Sequence, residues 1–134
     1  MSASEHNFAE GVLVSGENLD SYTAGEDLTA RTGVSYNGNF EVTEPAADAG
    51  EFIGVVAYDV ASGNEVDVIK RDCEVKIEVS ESVTAGDELV PDGSGAFETV
   101  ATSALSAGFL LASEGGGSGD LVTAEIFAAG GATA

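Results

Sequence analysis

The sequence is short of positive charge. Its 134 residues hold 4 Lys or Arg against 24 Asp or Glu, a formal net charge of −20. A nucleic-acid binder neutralises phosphates with a basic stripe, and Arg31, Lys70, Arg71 and Lys76 cannot build one. An anionic membrane surface would repel the chain for the same reason. No apolar run approaches the roughly 20 residues that span a bilayer. The stretch MSASEHNFAE has neither a basic n-region nor an apolar h-region, so no secretory signal is expected. One cysteine, Cys73, makes no internal disulfide. With a single histidine, His6, there is no Cys/His cluster for zinc.

The catalytic inventory is equally thin. His6 lies in a polar N-terminal stretch, a poor place for the base of a nucleophilic triad. Cys73 stands between Asp72 and Glu74, whose charges disfavour a thiolate, and reads as a small core residue. The glycine run Gly115 to Asp120 (GGGSGD) lacks the Lys and hydroxyl residue of a phosphate loop and reads as a flexible turn. Only carboxylates are abundant. The pairs Glu26-Asp27 and Asp87-Glu88 have no EF-hand spacing and are expected to be solvated. Neither an enzyme nor a bound metal or cofactor is expected.

What the chain does have is enough apolar material to fold. The hydrophobic fraction is 43%, although 20 of those residues are Ala, and the carboxylates are dispersed rather than gathered in a tail. Self-repulsion would loosen such a compact chain, and molar salt, with a Debye length of about 3 Å, would relieve it. The composition therefore reads as that of a halophile's protein.

Helical periodicity is scarce, whereas short Val-rich alternations are common. Strands are expected at Val12-Leu13-Val14, Phe40 to Thr43, Phe52 to Val60 and Glu65 to Ile69. Others are expected at Glu74 to Val79, Glu88 to Val90, Ala96 to Val100, Gly108 to Ala112 and Leu121 to Phe127. Helical turns are confined to Pro45 to Gly50 and Ala101 to Ala107. The class is all-β, a sandwich or small barrels.

An internal repeat organises these strands. Thr23-Ala24-Gly25-Glu26-Asp27-Leu28 is echoed by Thr84-Ala85-Gly86-Asp87-Glu88-Leu89, and Gly38-Asn39-Phe40-Glu41 by Gly95-Ala96-Phe97-Glu98. Further on, Ala49 to Ile53 is echoed by Ala107 to Leu110, and Ala61 to Val66 by Gly117 to Val122. Two related β units, about 21–70 and 84–127, are expected to pack as one barrel- or sandwich-like body, because either alone has a marginal core. Residues 70 to 83 would bridge them, and an extended N-terminal arm, residues 1–20, would precede a domain spanning 21–134.

The second unit, AGDELVPDGSGAFETVATSALSAGFLLASEGGGSGDLVTAEIF, resembles the small capsid decoration proteins of tailed viruses. Their pattern is an Ala-Gly-Asp turn, a Gly hairpin, an apolar strand, a Gly-rich turn and a closing Val-rich strand. Gly50 to Ala57 and Ala61 to Ile69 look like its companion half, so the resemblance covers residues 20 to 127. It implies a homotrimer on the outer surface of an icosahedral head, clamping neighbouring capsomers and contacting the major capsid protein. It also implies an N-terminal arm that pairs with a capsid strand, with Phe8, Val12, Leu13 and Val14 as apolar anchors. The extreme acidity departs from the family and implies a halophilic host, an archaeon in the first instance. A different surface β module of a halophile, such as a turret or fibre component or a cellular adhesion or carbohydrate-binding domain, is the alternative. An equal reading of Val12-Leu13-Val14 is the first strand of the subunit's own barrel.

Overall fold

A computed structural model describes residues 12–45, 52–100 and 110–127. The fold is all-β, with two sheets. Strands β2 (Leu19–Ala24), β3 (Gly33–Gly38), β4 (Glu41–Thr43), β5 (Gly54–Val56) and β6 (Glu65–Ile69) close into a small barrel of order β2-β4-β3-β5-β6. The others are β1 (Leu13–Ser15), β7 (Glu74–Glu78), β8 (Glu88–Pro91), β9 (Phe97–Thr99), β10 (Leu110–Ala112) and β11 (Leu121–Ile126). They form a six-stranded sheet of order β1-β7-β11-β10-β8-β9.

Two-residue alternation explains which side chains go in. In β7, Val75 and Ile77 are buried while Glu78 is exposed, and in β11 Val122, Ala124 and Ile126 are buried. β5 breaks the alternation because it is a wall with a core on each side. Val56 faces the barrel interior with Tyr22, Val34, Val42, Val66 and Val68. Val55 and the preceding Phe52 instead join the larger core beneath the six-stranded sheet, with Ile77, Leu89, Leu110 and Ile126. Phe52 and Phe97 meet edge to face across that boundary, centroids 6.2 Å apart. This double burial is why residues 52–57 read as one apolar run.

Several expectations need correction. The run Phe52 to Val60 holds one three-residue strand, and Val60 instead makes an isolated bridge to Leu28. Phe40 sits in the β3–β4 turn with φ of 54°, not in a strand. Residues 70 to 83 contain β7, a full member of the six-stranded sheet, rather than a bridge between units. β2 and β3 lie outside the expected strands, because LDSYTA and GVSYNG carry too few apolar residues to show an alternating pattern. The expected helical turns fall largely on 46–51 and 101–109, outside the described residues.

The two sheets share one pairing order. In the barrel β2 pairs β6, then β5, β3 and β4 follow, and β4 returns parallel to β2. In the other sheet β7 pairs β11, then β10, β8 and β9 follow, and a parallel bridge Val79↔Phe97 reaches back. Individual hydrogen bonds also correspond. Arg31 N–H donates to Val56 O (2.9 Å) as Gly86 N–H does to Ala112 O (2.8 Å). Gly63 N–H donates to Ala24 O (2.8 Å) as Gly119 N–H does to Val79 O (2.7 Å), with φ of 90° and 88° at the two glycines. The register therefore differs from the sequence alignment. Thr84-Ala85-Gly86 occupies the place of Thr29-Ala30-Arg31, not of Thr23-Ala24-Gly25. The cause is Arg31, a non-glycine at φ of 79° where the other sheet has Gly86.

Candidate functional site

One end of the barrel is finished with aromatic rings. Tyr22 continues the inward face of β2 beyond Ala24 and is almost fully buried. Tyr36, two residues past the buried Val34, stacks edge-on against Tyr22 at 5.8 Å. Phe40 tilts against the same ring from the β3–β4 turn at 6.2 Å. Tyr36 is 55% and Phe40 72% exposed, so both residues stand largely in solvent and line a shallow cleft with Gly38 and Asn39.

Polar groups are threaded through these rings. Lys70 Nζ donates to Asp20 Oδ2 (2.9 Å) and to Tyr22 OH (3.0 Å), and lies 5.6 Å from the Tyr22 ring centroid. Tyr22 OH and Tyr36 OH are 3.3 Å apart. The hydrogen bond to Tyr22, then that to Asp20, hold the Lys70 ammonium well above the usual lysine range. The bond to Tyr22 likewise raises Tyr36, so the Lys70 ammonium and the Tyr36 phenol both keep their protons at neutral pH.

A groove of about 340 Å³ is lined by residues of both sheets, including Arg31, Thr32, Glu44, Glu78, Gly95 and Leu121. The Glu44 carboxylate accepts the N–H of Gly95, which ties the β8–β9 turn to the barrel. Burial raises the Glu44 pKa against the opposing effect of that hydrogen bond. An acid whose pKa is raised by folding costs stability when ionised, and the cost fades as pH falls through the raised value. Glu44→Gln keeps an acceptor for Gly95 and is expected to stabilise the fold at pH 7. The gain should be at most about 1 kcal/mol after solvent screening, and should shrink toward pH 4. Urea unfolding at the two pH values checks it.

Of the carboxylates singled out as acid-base pairs, Glu26, Asp27 and Glu88 are exposed to solvent as expected, and three of the four also cap turns. Asp27 Oδ1 accepts Ser62 N–H (2.9 Å), Glu26 Oε2 accepts Glu44 N–H (2.9 Å) and Asp87 Oδ2 accepts Thr84 N–H (2.8 Å). Asp120 and Asp59 do the same for Gly117 and Ala30. Such side-chain caps satisfy donors the strands cannot. Among the described residues no group of three or more His, Cys, Asp and Glu is placed to hold a metal ion. Cys73 is buried in the larger core, as its neighbours suggested, with Asn18 N–H 3.4 Å from Sγ.

The apolar anchors of the expected arm are dispersed. Phe8 and His6 lie outside the described residues. Val12 is fully buried, and its carbonyl accepts Lys76 N–H at 2.8 Å. Leu13 pairs with Val75 in the six-stranded sheet, and Val14 is 46% exposed. Val12 to Ser15 thus belong to the folded body, and Leu19 and Asp20 already lie in β2. The aromatic end of the barrel escaped sequence reading. Its available signal was three of the chain's nine Tyr and Phe within residues 22–40.

No family model matches the sequence, and no curated protein matches it either. Among solved structures, the head fiber gp8.5 N base in bacteriophage phi29 is similar, with a TM-score of 0.65 and 20% identity. The match covers 84% of this chain and 96% of that one. At this identity the likeness is one of fold.

Proposed function

We propose that the chain is a structural protein carried on the outside of a tailed-virus head. The observation that carries this reading is the shared fold with a phage head-fiber base over 84% of the chain. The resemblance of residues 20 to 127 to capsid decoration proteins, found on different grounds, points the same way. In its finer form the protein is a cement that clamps capsomers through the major capsid protein as a homotrimer, from a virus of a haloarchaeal host. The phage structure favours a second form, the base on which a longer fibre stands. The matched pairing orders of the two sheets support descent from one duplicated β unit.

Attachment is assigned to residues 1–11 with Phe8, together with the margin of the six-stranded sheet at β1. β1 ends the strand order, so a capsid strand can add to it. Leu13 and Val14 are offered there, while Val12 serves the core. Repeated copies on one shell would make weak single contacts sufficient.

The test is co-sedimentation with capsids of the encoding virus at about 2 M NaCl, where repulsion is screened. The full chain is expected to bind as a trimer. Removal of residues 1–11 should weaken binding at least about tenfold, or roughly 1.4 kcal/mol. A monomer that fails to bind would overturn the virion assignment. Undiminished binding by the shortened chain would overturn the arm alone.

A further inference from the structure

We infer that the aromatic end of the barrel is a binding site for a neutral saccharide. The inference is independent of the virion assignment.

Phe40 carries the first argument. A bulky aromatic at φ of 54° is sterically costly, since that region suits glycine or asparagine. The same residue exposes 72% of its surface. The two-residue turn between Gly38 and Glu41 accounts for the left-handed φ, but not for a bulky, exposed aromatic at that position. Tyr36 stands beside it, more than half exposed, and Tyr22 backs both rings.

The polar groups decide the ligand class. The cleft is lined by Tyr36, Gly38, Asn39 and Phe40, and the Tyr36 hydroxyl leads from it through Tyr22 OH to the Lys70 ammonium and the Asp20 carboxylate. The ammonium has three donors, two of them directed at Asp20 and Tyr22. Asn39 adds an amide-bearing residue to the lining. A pyranose ring matches this mixture, with C–H faces for the aromatics and hydroxyls that both donate and accept.

Other classes fit worse. An anion meets the field of a −20 chain and the carboxylate of Asp20. A cation meets Lys70, which already lies over the Tyr22 ring. A purely apolar side chain would cover the Tyr36 hydroxyl, the end of that hydrogen-bond chain at the cleft, without replacing its contacts with water. The cleft is shallow, so a single sugar should bind with a Kd on the order of millimolar.

The experiment is an amide-resolved NMR titration of the full chain with methyl glycosides of glucose, galactose and mannose, and with glucuronate. At least one neutral glycoside is expected to shift Tyr36, Asn39, Phe40 and Lys70, and glucuronate to bind roughly tenfold more weakly. Phe40→Ala and Tyr36→Ala should each weaken binding at least about tenfold. Phe40→Gly should do the same without lowering the thermal midpoint, because glycine is relaxed at this φ. That variant separates lost binding from lost folding. Shifts that avoid these residues, no response to any neutral glycoside, or full binding by Phe40→Ala would overturn the site. So would a drop in sedimentation coefficient caused by Phe40→Ala, which would make the rings an interface between copies.

Discussion

Raising sodium chloride from about 0.1 M to about 1 M is expected to raise the thermal midpoint by roughly 10 °C. Two unit charges about 20 Å apart across a body of this size repel by roughly 0.03 kcal/mol at 0.1 M salt, and negligibly at 1 M. Summed over all pairs of twenty net charges, that reaches about 5 kcal/mol, comparable with the whole margin of a small domain. The unfolded chain retains part of the repulsion, so about 3 kcal/mol should appear as stability.

Local pairing cannot substitute for screening. Lys70–Asp20 at 2.9 Å and Lys76–Glu114 at 3.1 Å each neutralise one acid, and four cations face 24 carboxylates. Scanning calorimetry in sodium chloride, with sucrose at matched osmolality as control, gives the measurement. Sucrose strengthens burial without screening charge. Equal shifts in both series, or a salt shift below about 2 °C, would refute repulsion as the limiting term.

How much of this protein was legible in its sequence depended on where each strand sits. β6, β7 and β11 were readable because one face of each is buried and the other solvated, so Val66, Val75 or Val122 alternates with a polar residue. β5 showed as an apolar run, but its end was hidden. Ala57 and Tyr58 are apolar for packing reasons after pairing has stopped, and Tyr58 touches both cores. β2 and β3 were illegible because their polar residues include Ser35, buried without being apolar, and glycines at both ends of β3. The likeness in pairing order of the two sheets had a sequence signal at the Gly turns, where Gly63 and Gly119 adopt nearly the same φ, and none at Arg31, which stands where the other sheet has Gly86. The aromatic site depends on barrel closure. Tyr22, Tyr36, Phe40 and Lys70 are scattered along the chain and meet only because β4 lies parallel to β2 and antiparallel to β3.

Closure itself depends on one residue without a side chain. Gly54→Ala is expected to destabilise the fold by about 4 kcal/mol, enough to unfold much of the population at low salt. Gly54 pairs with Val34 on one side, and Val55 next to it pairs with Ile69 on the other. A Cβ at Gly54 would overlap the Ile69 carbonyl oxygen and stand 2.7 Å from Val68 Cγ1 and 3.0 Å from the Ile69 carbonyl carbon. Two of these three atoms are backbone, so no rotamer change relieves the overlap. β5 would have to leave β6, which opens the barrel and also drags Phe52 from Phe97 in the opposite sheet. Overpacking of this kind costs about 1–3 kcal/mol before ladder hydrogen bonds are counted, and losing two of those adds about 2 kcal/mol. Gly63→Ala is the control, since its Cβ meets nothing within 4 Å and only φ of 90° opposes it; about 1 kcal/mol is expected there. Unfolding should be followed in urea, because guanidinium is itself a salt and would screen the −20 charge. A Gly54→Ala protein within about 1 kcal/mol of the parent would show that β5 can step away from β6 without cost. The barrel would then be too loosely closed to frame Tyr22, Tyr36 and Phe40 as a site.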